Sequence, residues 1–204
     1  MRRSLVSLIV GSAIILLGVN AHAITLSFAP ASTSVSIGDP VTVLLNVSGL
    51  GDKAAPSLGV FDVNVTFDPA LLAFVDATFG DPMLGDQLDL GKFGSPTSAT
   101  VSPANTLNLS ETSFDSVSDL DTMQAGSFTL ATLAFNAIGL GVSPLGLSIN
   151  TLGDANGDTL AATANVGTVT VTATPEPTTG LLFVTGLMVL GYGWHRKQRL
   201  TTCS

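Results

Sequence analysis

Between residues 24 and 174 the side chains able to do chemistry are almost all carboxylates. The only histidines are His22 and His195 and the only cysteine is Cys203, so this stretch contains no imidazole and no thiol. Residue type alone therefore excludes Ser-His-Asp and Cys-His catalysis there, and with them zinc held by thiolate or imidazole and a structural disulfide. Oxygen chemistry is what remains. Asp115, Asp119 and Asp121 are the densest acidic group, and a carboxylate pair is what glycoside hydrolysis requires. Their Ser, Val and Leu neighbours read as a solvated, turn-like loop, so no catalytic residue is assigned.

Asp154, Asn156 and Asp158 place side-chain oxygens at alternate positions, as in the first half of a calcium loop. The second half differs: Thr159 and Asn165 stand where such a loop has Gly and a bidentate Glu. Asn156-Gly157 also suits a type I′ hairpin turn. A plain turn and weak calcium binding are both open here, and no other cofactor is indicated. Of the cations, Lys53 and Lys92 alone fall in residues 24–174, in Gly-containing stretches that read as surface, against fourteen Asp and Glu. A net charge of −12 repels phosphate backbones, so DNA and RNA are excluded as partners. Nine Phe but no Trp or Tyr occur there. Phe at alternating positions reads as core packing rather than as platforms for stacking sugars, a role suited to Trp and Tyr.

Strands must position these groups. Val60 to Phe67 alternates Phe61, Val63, Val65 and Phe67 with Asp62, Asn64 and Thr66, the pattern of a half-buried strand. Val41 to Val47 keeps Val41, Val43, Leu45 and Val47 in phase, and Leu44 on the other face marks a more central strand. Further β-type runs cover 24–28, 73–79, 106–109, 128–137, 147–150, 160–164 and 167–172. In 128–137 the apolar phase switches between Leu130 and Leu133, which predicts a bulge. A single helical turn is expected at Pro69 to Leu72, and Asp81 to Pro103 reads as a long loop with at most one short strand. No helical period persists over ten residues, so the fold class is all-β, a two-sheet sandwich.

Both ends read as targeting segments. Arg2-Arg3, the apolar stretch Leu5 to Val19 and Ala21-His22-Ala23 form a signal peptide, residues 1–23, cut between Ala23 and Ile24. At the other end Pro175-Glu176-Pro177 precedes an apolar run and the basic cluster 195–199. A single transmembrane helix is expected at 179–194, with Arg196, Lys197 and Arg199 as the cytoplasmic stop. The apolar run Gly180 to Trp194 is short, near 22 Å as a helix against roughly 30 Å of hydrocarbon. The two prolines hold the preceding stretch extended and keep it out of the helix.

This order resembles the PEP-CTERM sorting signal. The resemblance implies that Pro175, Glu176 and Pro177 are a recognition motif for exosortase, a membrane transpeptidase, and that residues 174–204 are a removable tail. The protein would then pass through the inner membrane and end at the cell surface or in an extracellular matrix. Within the body, Val35-Ser-Ile-Gly-Asp-Pro-Val-Thr-Val43 and Gly59-Val-Phe-Asp-Val-Asn-Val-Thr-Phe-Asp-Pro-Ala-Leu-Leu72 resemble the opening of a cohesin domain. Asp154-Ala-Asn-Gly-Asp158 followed by Gly167-Thr-Val-Thr-Val171 is similar to its last hairpin. Cohesins are jelly-roll sandwiches, related to carbohydrate-binding modules, that bind dockerins. The resemblance implies a jelly-roll β-sandwich at 24–173 and a binding type of function, with an extracellular polysaccharide or a surface protein as partner. The competing expectation is a carboxylate-dependent hydrolase acting on extracellular polysaccharide.

Overall fold

The computed structural model describes residues 23–102, 105–174, 185, 187 and 188. The signal peptide up to His22, Pro175, Glu176, Pro177 and the basic cluster lie outside the described residues, as does nearly all of the expected transmembrane helix. Among the described residues no helix is long and apolar enough to cross a membrane.

The chain alternates between two layers. β1 (Ile24–Ala29), β3 (Pro40–Ser48), β5 (Leu72–Phe79), β8 (Ser127–Ala137) and β10 (Ala162–Ala164) form one sheet in the order β10-β1-β3-β8-β5. β2 (Ser32–Ser36), β4 (Leu58–Thr66), β6 (Thr97–Ser102), β7 (Thr106–Thr112), β9 (Gly141–Asp154) and β11 (Gly167–Thr172) form the other, ordered β2-β11-β9-β4-β7-β6. Most pairings are antiparallel, whereas β1–β10 and β11–β2 are parallel. The expected two-sheet sandwich is the fold.

Period-two patterning explains the layers. Phe61, Val63 and Val65 of β4 are fully buried and meet Val41, Val43 and Leu45 of β3 in one apolar core. Each fully buried Val, Leu or Phe contributes roughly 1.5–3 kcal/mol, which outweighs the modest β-propensity differences between neighbouring residues. β3 is the central strand of its sheet, as its outlying Leu44 suggested. Phe67 and Phe74 both approach Phe135 edge-on, with ring centroids at 5.2 and 5.8 Å.

The bulge expected in β8 is present: Leu45 pairs with Ala131 and Asn46 with Thr129, leaving Leu130 as the extra residue. Hydrogen bonds from the β5 exit hold it, from Gly80 N–H to the Leu130 carbonyl at 3.0 Å and from Thr129 N–H to Asp81 at 2.9 Å. The turn expected at Pro69 to Leu72 is also present, closed by Leu72 N–H on the Asp68 carbonyl at 2.9 Å.

Three elements differ from the sequence expectation. β9 runs for fourteen residues instead of the four at 147–150, through Gly141, Pro144, Gly146 and Gly153. These breakers are tolerated because β9 changes partners: Pro144 lies where only β11 flanks it, and pairing with β4 starts at Gly146. β2 was not expected, whereas β6, an edge strand exposed throughout, is the one short strand allowed within 81–103. The third is a helix, α1 (Val117–Met123), where a solvated loop was expected.

Candidate functional site

The outer face of β9, β4, β7 and β6 carries a connected set of polar side chains. On β4 the alternation that buries Phe61, Val63 and Val65 turns Asp62 and Asn64 outward. Register places Asn108 of β7 opposite Asn64. On β9 the pairing slips between Thr151 and Ile149, so Asn150 is the extra residue of a bulge and reaches the same face.

Asp62 Oδ1 accepts from Asn108 Nδ2 at 2.6 Å and from Asn150 Nδ2 at 2.9 Å. Asn64 completes the set, accepting from Asn108 Nδ2 at 3.0 Å and donating to Asn150 Oδ1 at 3.0 Å. Amide donors on a carboxylate make charge-assisted bonds, stronger than neutral ones, so the four side chains are held in fixed positions. Asp62 Oδ2 and Asn108 Oδ1 stay outside this ladder. Thr66, Thr106, Ser110 and Ser148 surround it, and edge strand β6 adds Ser98, Thr100 and Ser102. Such a surface presents amide and hydroxyl groups in a plane, suited to peptide amides or sugar hydroxyls, with one carboxylate and no cation among the residues named.

The acids singled out from sequence do other work. Asp115 accepts N–H groups from Leu90 at 2.7 Å and Gly91 at 2.8 Å, which clips the 81–96 loop to the body. Ser116 caps α1, its Oγ accepting from Asp119 N–H at 3.2 Å and donating to Asp119 Oδ2 at 2.8 Å. This reciprocal Ser-x-x-Asp cap was the missed helix signal. Asp121 accepts from Ser57 Oγ at 2.6 Å. Each carboxylate thus serves a different local structure. Behind α1, buried Gln124 joins its end to β4: Oε1 accepts from Leu58 N–H at 2.6 Å and Nε2 donates to the carbonyls of Leu58 and Gln87, both at 2.9 Å.

Asp154, Asn156 and Asp158 form a tight hairpin. Asp154 Oδ1 accepts from Asn156 N–H at 2.8 Å and Asp158 N–H at 2.9 Å, and Gly157 N–H reaches the Asp154 carbonyl at 3.0 Å. Only Gly157 takes a positive φ, +87°, so this is a type I turn closed by a left-handed Gly rather than the expected type I′. Among the described residues no three Asp, Glu, His or Cys groups gather as a metal site.

Sequence reasoning gave no role to Glu111. It points inward from β7 in line with Leu107 and Leu109, is 1% exposed, and neither carboxyl oxygen has a hydrogen-bond partner. Burial first, then the charges of Asp86 and Asp89, push its pKa up to about 9. An ionised carboxyl without a partner is costly to bury, so Glu111 keeps its proton at neutral pH. At Asp81 burial acts upward, but N–H groups of Leu84, Thr129 and Met83 outweigh it and hold the carboxyl below its usual value.

No family model and no curated protein matches the chain. Solved structures do. A cohesin of Clostridium acetobutylicum, crystallised in complex with a dockerin, superposes with a TM-score of 0.58 at 18% identity over 74% of this chain and 100% of that one. A type I cohesin–dockerin complex of Clostridium thermocellum gives 0.58 at 14% identity, over 74% and 99%. A non-cellulosomal cohesin of the archaeon Archaeoglobus fulgidus gives 0.51 at 18%, over 74% and 91%. The fold is therefore that of cohesins.

Proposed function

We propose that this chain is an exported, non-catalytic binding module that holds a protein or polysaccharide partner on the outer face of β9, β4, β7 and β6. The observation that carries this reading is the ladder of Asp62, Asn64, Asn108 and Asn150, fixed by its own hydrogen bonds before any partner arrives. Preorganised polar groups lose little freedom on binding. Solved cohesins of the same fold include complexes with dockerins, and one is described as non-cellulosomal, so the fold serves protein binding and is not confined to cellulosomes. The carboxylates that a hydrolase would need are occupied, Asp115 by N–H groups of the 81–96 loop, Asp119 by the Ser116 hydroxyl and Asp121 by that of Ser57.

Export follows from the two ends of the sequence. A cut between Ala23 and Ile24 leaves β1 whole, because that strand begins at Ile24. Removal of the tail after Thr174 spares β11, which ends at Thr172. In this reading exosortase recognises Pro175, Glu176 and Pro177, the helix at 179–194 anchors the precursor in the inner membrane, and Arg196, Lys197 and Arg199 stay cytoplasmic. The product resides at the cell surface or in the extracellular matrix.

Two experiments test the parts separately. Intact-mass measurement of the native product should give a chain starting at Ile24 and lacking the apolar tail; a retained tail contradicts the processing. Glycan arrays and cross-linking to isolated surface proteins should give a partner that is lost in Asp62→Ala. Turnover of a polysaccharide, abolished by Asp→Asn changes at Asp115, Asp119 and Asp121, would replace the binding module with a hydrolase.

A further inference from the structure

The two termini of the body leave from opposite ends of the sandwich. Thr25 pairs with Ser48 at the close of β3, so the chain enters beside the connection that carries Lys53. It leaves at the other end, where β11 stops at Thr172 and Thr174 Oγ1 lies 3.4 Å from the Ile37 carbonyl. The turns gathered at this exit carry apolar side chains. Ile37 N–H bonds the Thr172 carbonyl, Gly38 N–H bonds that of Ala137, and Val142 pairs with Thr170, which brings the 36–39 turn and the 138–142 turn together. Ile37, Ile138, Leu140 and Val142 are 39, 50, 57 and 59% exposed. Apolar side chains grouped at a loop end mark a contact surface.

The length of chain beyond Thr174 decides what the contact is. Five residues, 175–179, separate it from the apolar run Gly180 to Trp194. Fully extended they reach about 18 Å, while each headgroup layer is roughly 5–7 Å thick. Once the run enters a bilayer, this end of the body cannot leave the neighbourhood of the interface. We propose that the Ile37, Ile138, Leu140 and Val142 end rests on the lipid surface into which the chain's own tail inserts.

This rests on the membrane reading of the tail and adds an orientation to it. The contact is apolar. Asp39 and Asp68 are the charged groups near these turns, each accepting a local N–H, from Ser36 and Ala70. Lys53 and Lys92 lie in other connections, so no cation is placed to seek anionic headgroups. In this pose the polar ladder on the side of the sandwich stays free for a partner while the precursor is still anchored, and the Pro175-Glu176-Pro177 site is held in the gap between body and bilayer.

The test uses the full chain in phosphatidylcholine nanodiscs carrying a small fraction of headgroup spin-labelled lipid. Amide signals of Ile37, Ile138, Leu140 and Val142 should lose more than half their intensity, while Gly49 and Gly157 at the opposite end keep theirs. Ile138→Ser with Leu140→Ser should restore the first set, and adding anionic lipid should not strengthen the effect. Insertion of the tail, read from protease protection, without this end-specific loss overturns the proposal and leaves the tail reading intact. Broadening that needs anionic lipid also overturns it. Failure of the tail to insert overturns both.

Discussion

Asp62 and Glu111 stand on adjacent antiparallel strands, one residue apart in register, and the sheet treats them in opposite ways. Glu111 pairs with Phe61 across β4 and β7, and Asp62 pairs with Ser110. The one-residue offset puts Asp62 on the outer face, where two amides bind its charge, and Glu111 on the inner face beneath Asp86 and Asp89, where only a proton makes it compatible. A carboxyl on one face of this sheet belongs to the proposed recognition surface, and on the other it is a stability element governed by pH.

That contrast can be broken from either side. Phe61→Ala, on the inner face beside Glu111, should cost about 3–5 kcal/mol in denaturant unfolding, with Asp62→Ala on the outer face costing about 1 kcal/mol or less. Equal costs would mean that the two faces are not energetically distinct.

Glu111 makes the same contrast depend on pH. Its folded pKa of about 9 lies above the ordinary 4.5, so between these values the folded state holds a proton that the unfolded state releases. Its stabilising contribution is complete below pH 4.5 and is lost as pH rises through about 9, by up to about 1.4 kcal/mol per pH unit. Thermal unfolding across this range should show that slope in the parent chain and a much flatter one in Glu111→Gln. A parent chain with stability independent of pH from 5 to 9 would rule out the buried protonated carboxyl.

Asn108→Ala removes donors to both Asp62 and Asn64 and should lower stability by about 1 kcal/mol while weakening partner binding at least tenfold. Ser116→Ala, far from the ladder, removes the α1 cap and should cost a similar ~1 kcal/mol, with binding unchanged. Loss of binding in both variants would point to general loosening instead of a defined face.

Much of the fold was legible because β-sandwich strands carry their own pattern. β4 and β3 declared their buried rows residue by residue, and the phase slip in β8 declared the Leu130 bulge. β9 was not legible: its Gly and Pro residues signal turns locally, and only the change of partner from β11 to β4 makes an unbroken strand tolerable. The α1 helix spans seven residues and owes its start to Ser116 and Asp119, a cap the acidic spacing obscured. The proposed binding face was half legible. Alternation placed Asp62 and Asn64 outward together, but the arrival of Asn108 and Asn150 beside them depends on strand order and on a bulge, which no single strand encodes. Glu111 escaped notice because an isolated acid in an alternating strand reads as outward until register fixes its face.

The most direct test is a titration of the processed protein with its captured surface partner, comparing parent chain and the Asp62→Ala, Asn64→Ala double variant at matched folded fractions. The account predicts that affinity falls at least tenfold while the unfolding midpoint stays within a few degrees. Undiminished affinity in the double variant would contradict the assignment of the β9, β4, β7 and β6 face as the binding surface.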